Sequence, residues 1–105
     1  MRTMKSLGKI RENGGYATVH LADSARGGLF LVRGNDGRYL IAEWNRHHSN
    51  WMIPQRSSGW ATHVRLDVAI TDRDARWYST ITAALESVGL DGQTTAIPAT
   101  DKFTA

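Results

Sequence analysis

Hydrophobic and polar residues are arranged most regularly in "LFLVRGNDGRYLIAEW", residues 29–44. Two runs rich in apolar residues flank Asn35-Asp36-Gly37, and Asp-Gly favours the positive φ angles of a tight hairpin turn. With Asp36-Gly37 as a two-residue turn, Leu29 is expected opposite Trp44 and Arg33 opposite Leu40. Opposed residues share a face of a sheet. This register predicts one face of Leu29, Leu31, Leu40, Ala42 and Trp44, and another of Phe30, Val32, Tyr39, Ile41 and Glu43.

Two further runs predict strands, and a third predicts a helix. "YATVHLA" is typical of a strand from Tyr16 to Ala22, and "WATHVRLDVAI" alternates with period two over residues 60–70. A single helix is expected from about Asp72 to Val88, with Thr71 or Asp72 as N-cap and Gly89 at the C′ position. Its buried stripe is predicted to be Ala75, Tyr78, Ile81, Leu85 and Val88. The predicted core of this half of the chain is Val64, Leu66, Val68, Ile70, Tyr78, Ile81 and Leu85.

These elements predict an α+β protein, with an antiparallel meander of three or four strands and a C-terminal helix packed on one face. At 105 residues the chain is short enough for one domain. We expect a basic N-terminal arm over residues 1–14, the α+β domain over 15–90, and a loosely ordered tail over 91–105.

The charge is distributed unevenly along the chain. Residues 1–65 contain ten lysines and arginines against four acids, whereas residues 66–105 contain three against six, for a net charge of +3. Every basic residue between positions 10 and 101 is an arginine, which suits bidentate contacts to phosphates or carboxylates and stacking on aromatic rings. An alternative interpretation is a solvated surface with an incidental asymmetry.

Composition limits the possible environment and cofactors. There is no cysteine, which excludes disulfides and thiolate metal sites and favours a reducing cytoplasm. No apolar run has the length of a secretory signal or a membrane span, so we expect a cytoplasmic protein without a membrane partner. The adjacent His47 and His48 diverge and cannot readily both bind one ion. His63 is a conceivable third ligand, but the sequence has no HExxH, no histidine pair at helical spacing and no cysteine to support a site. We therefore expect neither metal nor cofactor.

Catalytic motifs are also missing from the sequence: there is no GxSxG, Walker loop or HExxH. A small nuclease remains an alternative, with His47, His48 or His63 as general base and Arg33, Arg46 or Arg65 stabilising a phosphorane. We nevertheless expect a protein that is not an enzyme.

Arginine, histidine and tryptophan concentrate between residues 44 and 60 and favour a binding surface, since arginine neutralises phosphates and aromatic rings stack on bases. The expected partner is nucleic acid, or an acidic or nucleoprotein surface. The alternative is an inhibitor or adaptor, of the kind that phages and plasmids direct at host defence complexes, acting by protein contact through Arg and Trp. The oligomeric state stays open. The predicted binding residues are Arg33, Arg46, His47, His48, Trp51, Arg56, His63 and Arg65, with Arg46, Arg56 and Arg65 expected close together on a loop spanning residues 45–59.

Overall fold

The computed structural model describes residues 11–12 and 15–90. Within these residues, six antiparallel strands form one sheet in sequential order, and two short helices accompany it. The strands are β1 (Arg11–Glu12), β2 (Ala17–Asp23), β3 (Gly27–Arg33), β4 (Tyr39–Asn45), β5 (Asn50–Pro54) and β6 (Trp60–His63), and the helices are α1 (Leu66–Ala69) and α2 (Ile81–Glu86). The predicted α+β class and antiparallel meander are confirmed, with six strands instead of three or four. Apart from β1, the expected basic arm and C-terminal tail lie outside the described residues.

The sheet separates two buried clusters. On the face that packs on α2, here called the α2 face, apolar side chains of β2, β3 and β4 meet the helix and Leu90. On the opposite face, here called the aromatic face, a second cluster joins the sheet to α1 and to the segment that follows it. The aromatic-face cluster consists of Val32, Leu40, Ala42, Ile53, Leu66, Ala69 and Ala75. Both faces of the central strands are therefore covered, which explains why β4 reads as almost continuously apolar.

The predicted hairpin register is wrong by one residue. Leu29 pairs with Glu43 and Gly28 pairs with Trp44, and the turn closes through a hydrogen bond from Gly34 N to Arg38 O. Asp36 and Gly37 lie in this longer turn, where Gly37 has a φ of +82°. Because side chains alternate along a strand, a shift of one residue exchanges the two faces of β4 relative to β3.

The long helix predicted from Asp72 to Val88 is replaced by an extended segment and the six-residue α2. The backbone of Tyr78 exchanges two hydrogen bonds of 2.7 Å with Tyr39, and Ala75 forms a bridge with Gln55. The segment 75–78 thus lies between the start of β4 and the end of β5. It also crosses the sheet, because Ala75 belongs to the aromatic-face cluster whereas Ile81 packs on the α2 face.

Helix α2 begins later than the sequence suggested. The Thr80 side chain is its N-cap and accepts a hydrogen bond of 3.1 Å from the Ala83 backbone N–H. At the other end, Gly89 has a φ of +74°, and the Leu90 N–H bonds to the Leu85 carbonyl. This left-handed glycine turns the chain so that Leu90 is buried, as expected for a glycine after a helix.

The strand predicted over residues 60–70 ends at His63. Residues 66–69 form α1, because Leu66, Ala69 and Ile70 also follow the i, i+3, i+4 spacing of a helix. Of the predicted core residues, Leu66, Ile81 and Leu85 are buried, and Tyr78 and Ile70 are partly buried. Val64 and Val68 were assigned to the core wrongly: their side chains are 81% and 42% exposed. In the described ranges, neither helix has the length or apolar character needed to cross a membrane.

Candidate functional site

The meander sorts its connections into two ends of the sheet. The β2–β3 turn, the β4–β5 turn and the end of β6 lie at one end, here called the 46–49 end. The β3–β4 and β5–β6 turns lie at the other, here called the 34–38 end. Because β5 has five residues, about 17 Å of strand separates the two ends at this point.

Four aromatic rings form a continuous row on the aromatic face, toward the 46–49 end. The ring centroids of His20 and Phe30 are 5.0 Å apart, and those of Phe30 and Trp51 are 5.3 Å apart in an edge-to-face contact. Trp44 continues the row, with its centroid 5.2 Å from that of Trp51. We call these four residues the aromatic row; they come from β2, β3, β4 and β5.

Small residues in the strands make room for this row. Phe30 pairs across the strands with Ala42, and Trp44 pairs with Gly28. A Cβ at Gly28 would lie 3.1 Å from His20 Nε2, so a larger residue there would push the His20 ring aside. All four rings are partly exposed, and Phe30 and Trp44 belong to neither buried cluster. Trp51 packs against the aromatic-face cluster, so core packing accounts for that ring but not for the partly exposed rings of Phe30 and Trp44.

The turn beside the row holds its exposed side chains on an ordered backbone. Asn45 Oδ1 accepts hydrogen bonds from the backbone N–H groups of His47 and His48, at 3.0 and 3.3 Å. The Arg46 N–H donates to the Arg26 carbonyl, which joins this turn to the β2–β3 turn. Ser49 completes the turn with a φ of 51°, in the left-handed region. The turn thus presents one arginine and two histidines, all exposed, beside the aromatic row.

Three of the described arginines lie at the 46–49 end, and they differ in whether a carboxylate neutralises their charge. Arg26 contacts the buried carboxylate of Glu43 at 3.3 Å, and Arg65 contacts Asp67 at 3.0 Å. Within residues 15–90, Arg46 has no carboxylate within 4 Å. Arg46 is therefore the cation at this end whose charge is most available to a ligand.

His63 lies on the aromatic face, opposite Trp51, and is tied to the segment after α1. Its Nε2 donates to Asp72 Oδ2 at 2.9 Å, while the other Asp72 oxygen accepts from the Asp74 N–H at 2.9 Å. The Asp74 N–H, followed by the His63 ring, lowers the pKa of the Asp72 carboxyl below its ordinary value. This pair anchors residues 70–78 to β6 and orients the His63 ring.

Because its pKa is lowered in the folded state, Asp72 is expected to stabilise the fold above pH 3.8 and to lose that contribution as the pH falls through the folded pKa. The wild type should therefore lose more stability than Asp72→Asn as the pH is lowered through this range. Urea unfolding at a series of pH values measures the difference, with Glu86→Gln, at an exposed position on α2, as the control. Equal pH dependence in wild type and Asp72→Asn would contradict the assignment.

The structure divides the predicted binding residues between the two ends. Those at the 46–49 end with the aromatic row are Arg46, His47, His48, Trp51, His63 and Arg65. Arg33 ends β3 at the 34–38 end, where its Nε is buried without a hydrogen-bond partner in the described part of the chain. Arg56 lies in the β5–β6 turn, also at the 34–38 end, 3.8 Å from Asp74. The predicted convergence of Arg46, Arg56 and Arg65 is wrong, because residues 50–54 form a strand and not part of a loop.

Three members of the aromatic row were missed as site residues. The incorrect register placed Phe30 and Trp44 on opposite faces of the hairpin, and a single histidine in a strand, such as His20, gives no sequence signal of a site. The correct register would have aligned Phe30 with Ala42 and Trp44 with Gly28, and so revealed two large rings beside two small residues on one face.

The positions of the histidines, arginines and acids bear on nuclease catalysis and on metal binding. A nuclease of the kind considered from the sequence would use His47, His48 or His63 with Arg33, Arg46 or Arg65. Arg33 lies at the 34–38 end, whereas the other five residues lie at the 46–49 end. Among the described residues, no group of three or more His, Asp or Glu is arranged to hold a metal ion.

Comparison with known proteins adds no relative to this description. No protein-family model, curated protein or solved structure matches the chain.

Proposed function

We propose that the protein is a non-enzymatic binding protein that takes single-stranded nucleic acid across the aromatic face. The observation that carries the proposal is the aromatic row, with centroid spacings of 5.0 to 5.3 Å between partly exposed rings. Successive bases stack on such rings without strong sequence preference, because every base has a π-face. Nucleic-acid binding of this kind is compatible with a cytoplasmic location, which we infer from the lack of cysteine.

The charges beside the row support a phosphate backbone running along the 46–49 end. Arg46 is exposed and lacks a described carboxylate partner, and His47 and His48 are exposed on the same turn. Arg65 is 69% exposed and could contribute once its contact with Asp67 is exchanged for a phosphate. A net charge of +3 is modest, so affinity is expected to depend on stacking as much as on charge.

Arg46 and Arg56 offer a matched test, because both are exposed arginines and they lie at opposite ends of β5. Arg46→Glu should weaken binding of a fluorescent oligothymidylate or oligouridylate about tenfold or more. It should also lower the salt slope by about 0.7 for each phosphate that the protein no longer neutralises. Arg56→Glu changes the net charge equally and should have a much smaller effect. Fluorescence anisotropy at several salt concentrations measures both.

An equal decrease in affinity in the two variants would contradict a localised site and would indicate only general charge attraction. Wild-type affinity in both would show that the charge asymmetry is incidental. Protein contact is the alternative function, and the exposed Trp60, Val64 and Val68 favour it. That alternative predicts that neither oligonucleotide binds measurably at physiological salt, while the protein still captures a partner from nuclease-treated lysate.

A further inference from the structure

Strand β6 is the last strand of the sheet on its side in the described part of the chain. The Gln55 N–H donates to the Gly59 carbonyl, and bonded pairs alternate along an antiparallel hairpin. Residues 60 and 62 therefore lie at the positions of β6 that make no backbone hydrogen bonds to β5. Pro54, which pairs with Trp60, fits this pattern because proline has no N–H to donate. The N–H and C=O groups of Trp60 and Thr62 consequently point away from the sheet, and no described residue bonds to them.

The exposed large hydrophobic side chains of the described residues lie along the same edge. Trp60 and Val68 are each 42% exposed, and Val64 is 81% exposed. A groove of about 420 Å³ adjoins the edge and is lined by Thr62, His63, Val64, Arg65 and Val68. The sequence of β6, "WATH", has no lysine, proline or acid of the kind that commonly protects an edge strand from pairing.

We propose that β6 pairs antiparallel with β6 of a second copy of this chain, about a two-fold axis at Ala61. The outward-facing groups lie at residues 60 and 62, two positions apart. An axis at Ala61 therefore brings Trp60 of each copy opposite Thr62 of the other, and every outward N–H meets an outward carbonyl. Four backbone hydrogen bonds form, and no unmatched group is left at the centre of the pair.

The side chains explain why a second copy fits this edge. Trp60 and Thr62 lie on the same face of the sheet, so in this pairing Trp60 of one copy contacts Thr62 of the other directly. Val64 follows β6 and is the diagonal neighbour within reach of a tryptophan ring. Each copy thus covers Trp60 and Val64 of the other with the same residues, as a two-fold interface requires.

The pairing also affects nucleic-acid binding, a consequence that rests on the proposed function. A two-fold axis between antiparallel strands is perpendicular to the sheet, so the aromatic faces of both copies lie on the same side. The two aromatic rows then lie on the same side of one continuous sheet, with the α1 helices of both copies between them. A nucleic-acid strand that passes these helices can engage both rows, which raises affinity through effective concentration.

Sedimentation equilibrium without nucleic acid tests the pairing independently of any ligand. Between about 1 μM and 1 mM, the wild-type mass should rise from that of a monomer to that of a dimer. Val64→Lys should weaken association about tenfold or more, because it places a charge at the interface. Thr62→Pro should also weaken it, because it removes an outward N–H. Thr82→Lys adds the same charge at an exposed position on α2 and should associate like the wild type.

Val64→Lys decides the question if Thr62→Pro fails to fold, because the Val64 side chain is 81% exposed and its replacement should not disturb the core. A wild-type protein that stays monomeric over the whole range overturns the proposal and leaves the edge to a different partner. A dimer that Val64→Lys and Thr62→Pro do not weaken overturns it as well, since another surface then forms the contact. A wild-type protein that dimerises but does not bind the oligonucleotide would instead contradict the proposed function alone.

Discussion

Replacement of both Phe30 and Trp44 by alanine is expected to weaken binding to a single-stranded oligonucleotide about 30-fold or more. A base stacked on an aromatic ring contributes about 1–3 kcal/mol, and the two substitutions remove two partly exposed rings of the aromatic row. Because neither side chain belongs to a buried cluster, the fold should survive the change. Fluorescence anisotropy measures the affinity, and near-ultraviolet circular dichroism with thermal unfolding checks the fold.

Trp77→Ala is the matched control for this pair. Trp77 is partly buried against the aromatic-face cluster and contacts Gly34, at the 34–38 end of the sheet. Its removal also costs a large aromatic side chain but leaves the aromatic row complete, so affinity should stay near that of the wild type. A double variant that folds and binds like the wild type would refute stacking on the row as the basis of binding.

Ile81→Ala is expected to lower the free energy of unfolding by about 2–5 kcal/mol. Ile81 is 2% exposed and lies in the first turn of α2, where it packs against the sheet with Leu85 and Leu90. Removal of this side chain forfeits buried apolar surface and leaves a cavity that the surrounding strands can fill only in part. A decrease of this size is a large share of the roughly 5–15 kcal/mol by which small domains are stable. Chemical denaturation measures the change.

Thr82→Ala changes the neighbouring, exposed position of the same helix and should alter the stability by no more than about 0.5 kcal/mol. The comparison separates the effect of side-chain burial on stability from the effect of helix propensity. A destabilisation in Ile81→Ala as small as that in Thr82→Ala would show that α2 does not pack on the sheet as described.

Local patterns were sufficient for the architecture and for part of the site. Runs of strand-favouring, largely apolar residues at 16–22, 29–33 and 39–44 predicted β2, β3 and β4, and the turn residues between them predicted an antiparallel meander. The concentration of cations and aromatic residues after residue 44 led to Arg46, His47, His48 and Trp51, which lie together at the 46–49 end. These features follow from the sequence because neighbouring residues in a hairpin remain neighbours in the fold.

The sequence by itself determined the class of fold, the segments that form β2, β3 and β4, and the glycine turn after the last helix. Only the tertiary structure decided the register of the β3–β4 hairpin, and with it the union of Phe30 and Trp44 on one face. Both faces of these strands are apolar, so the hydrophobic pattern could not distinguish two registers that differ by one residue. Likewise, the spacing of the apolar residues from Ala75 to Leu85 is compatible with a helix when only the local sequence is considered. The backbone of residues 75–78 instead completes the hydrogen bonding of β4 and β5, and that opportunity exists only once distant strands have come together.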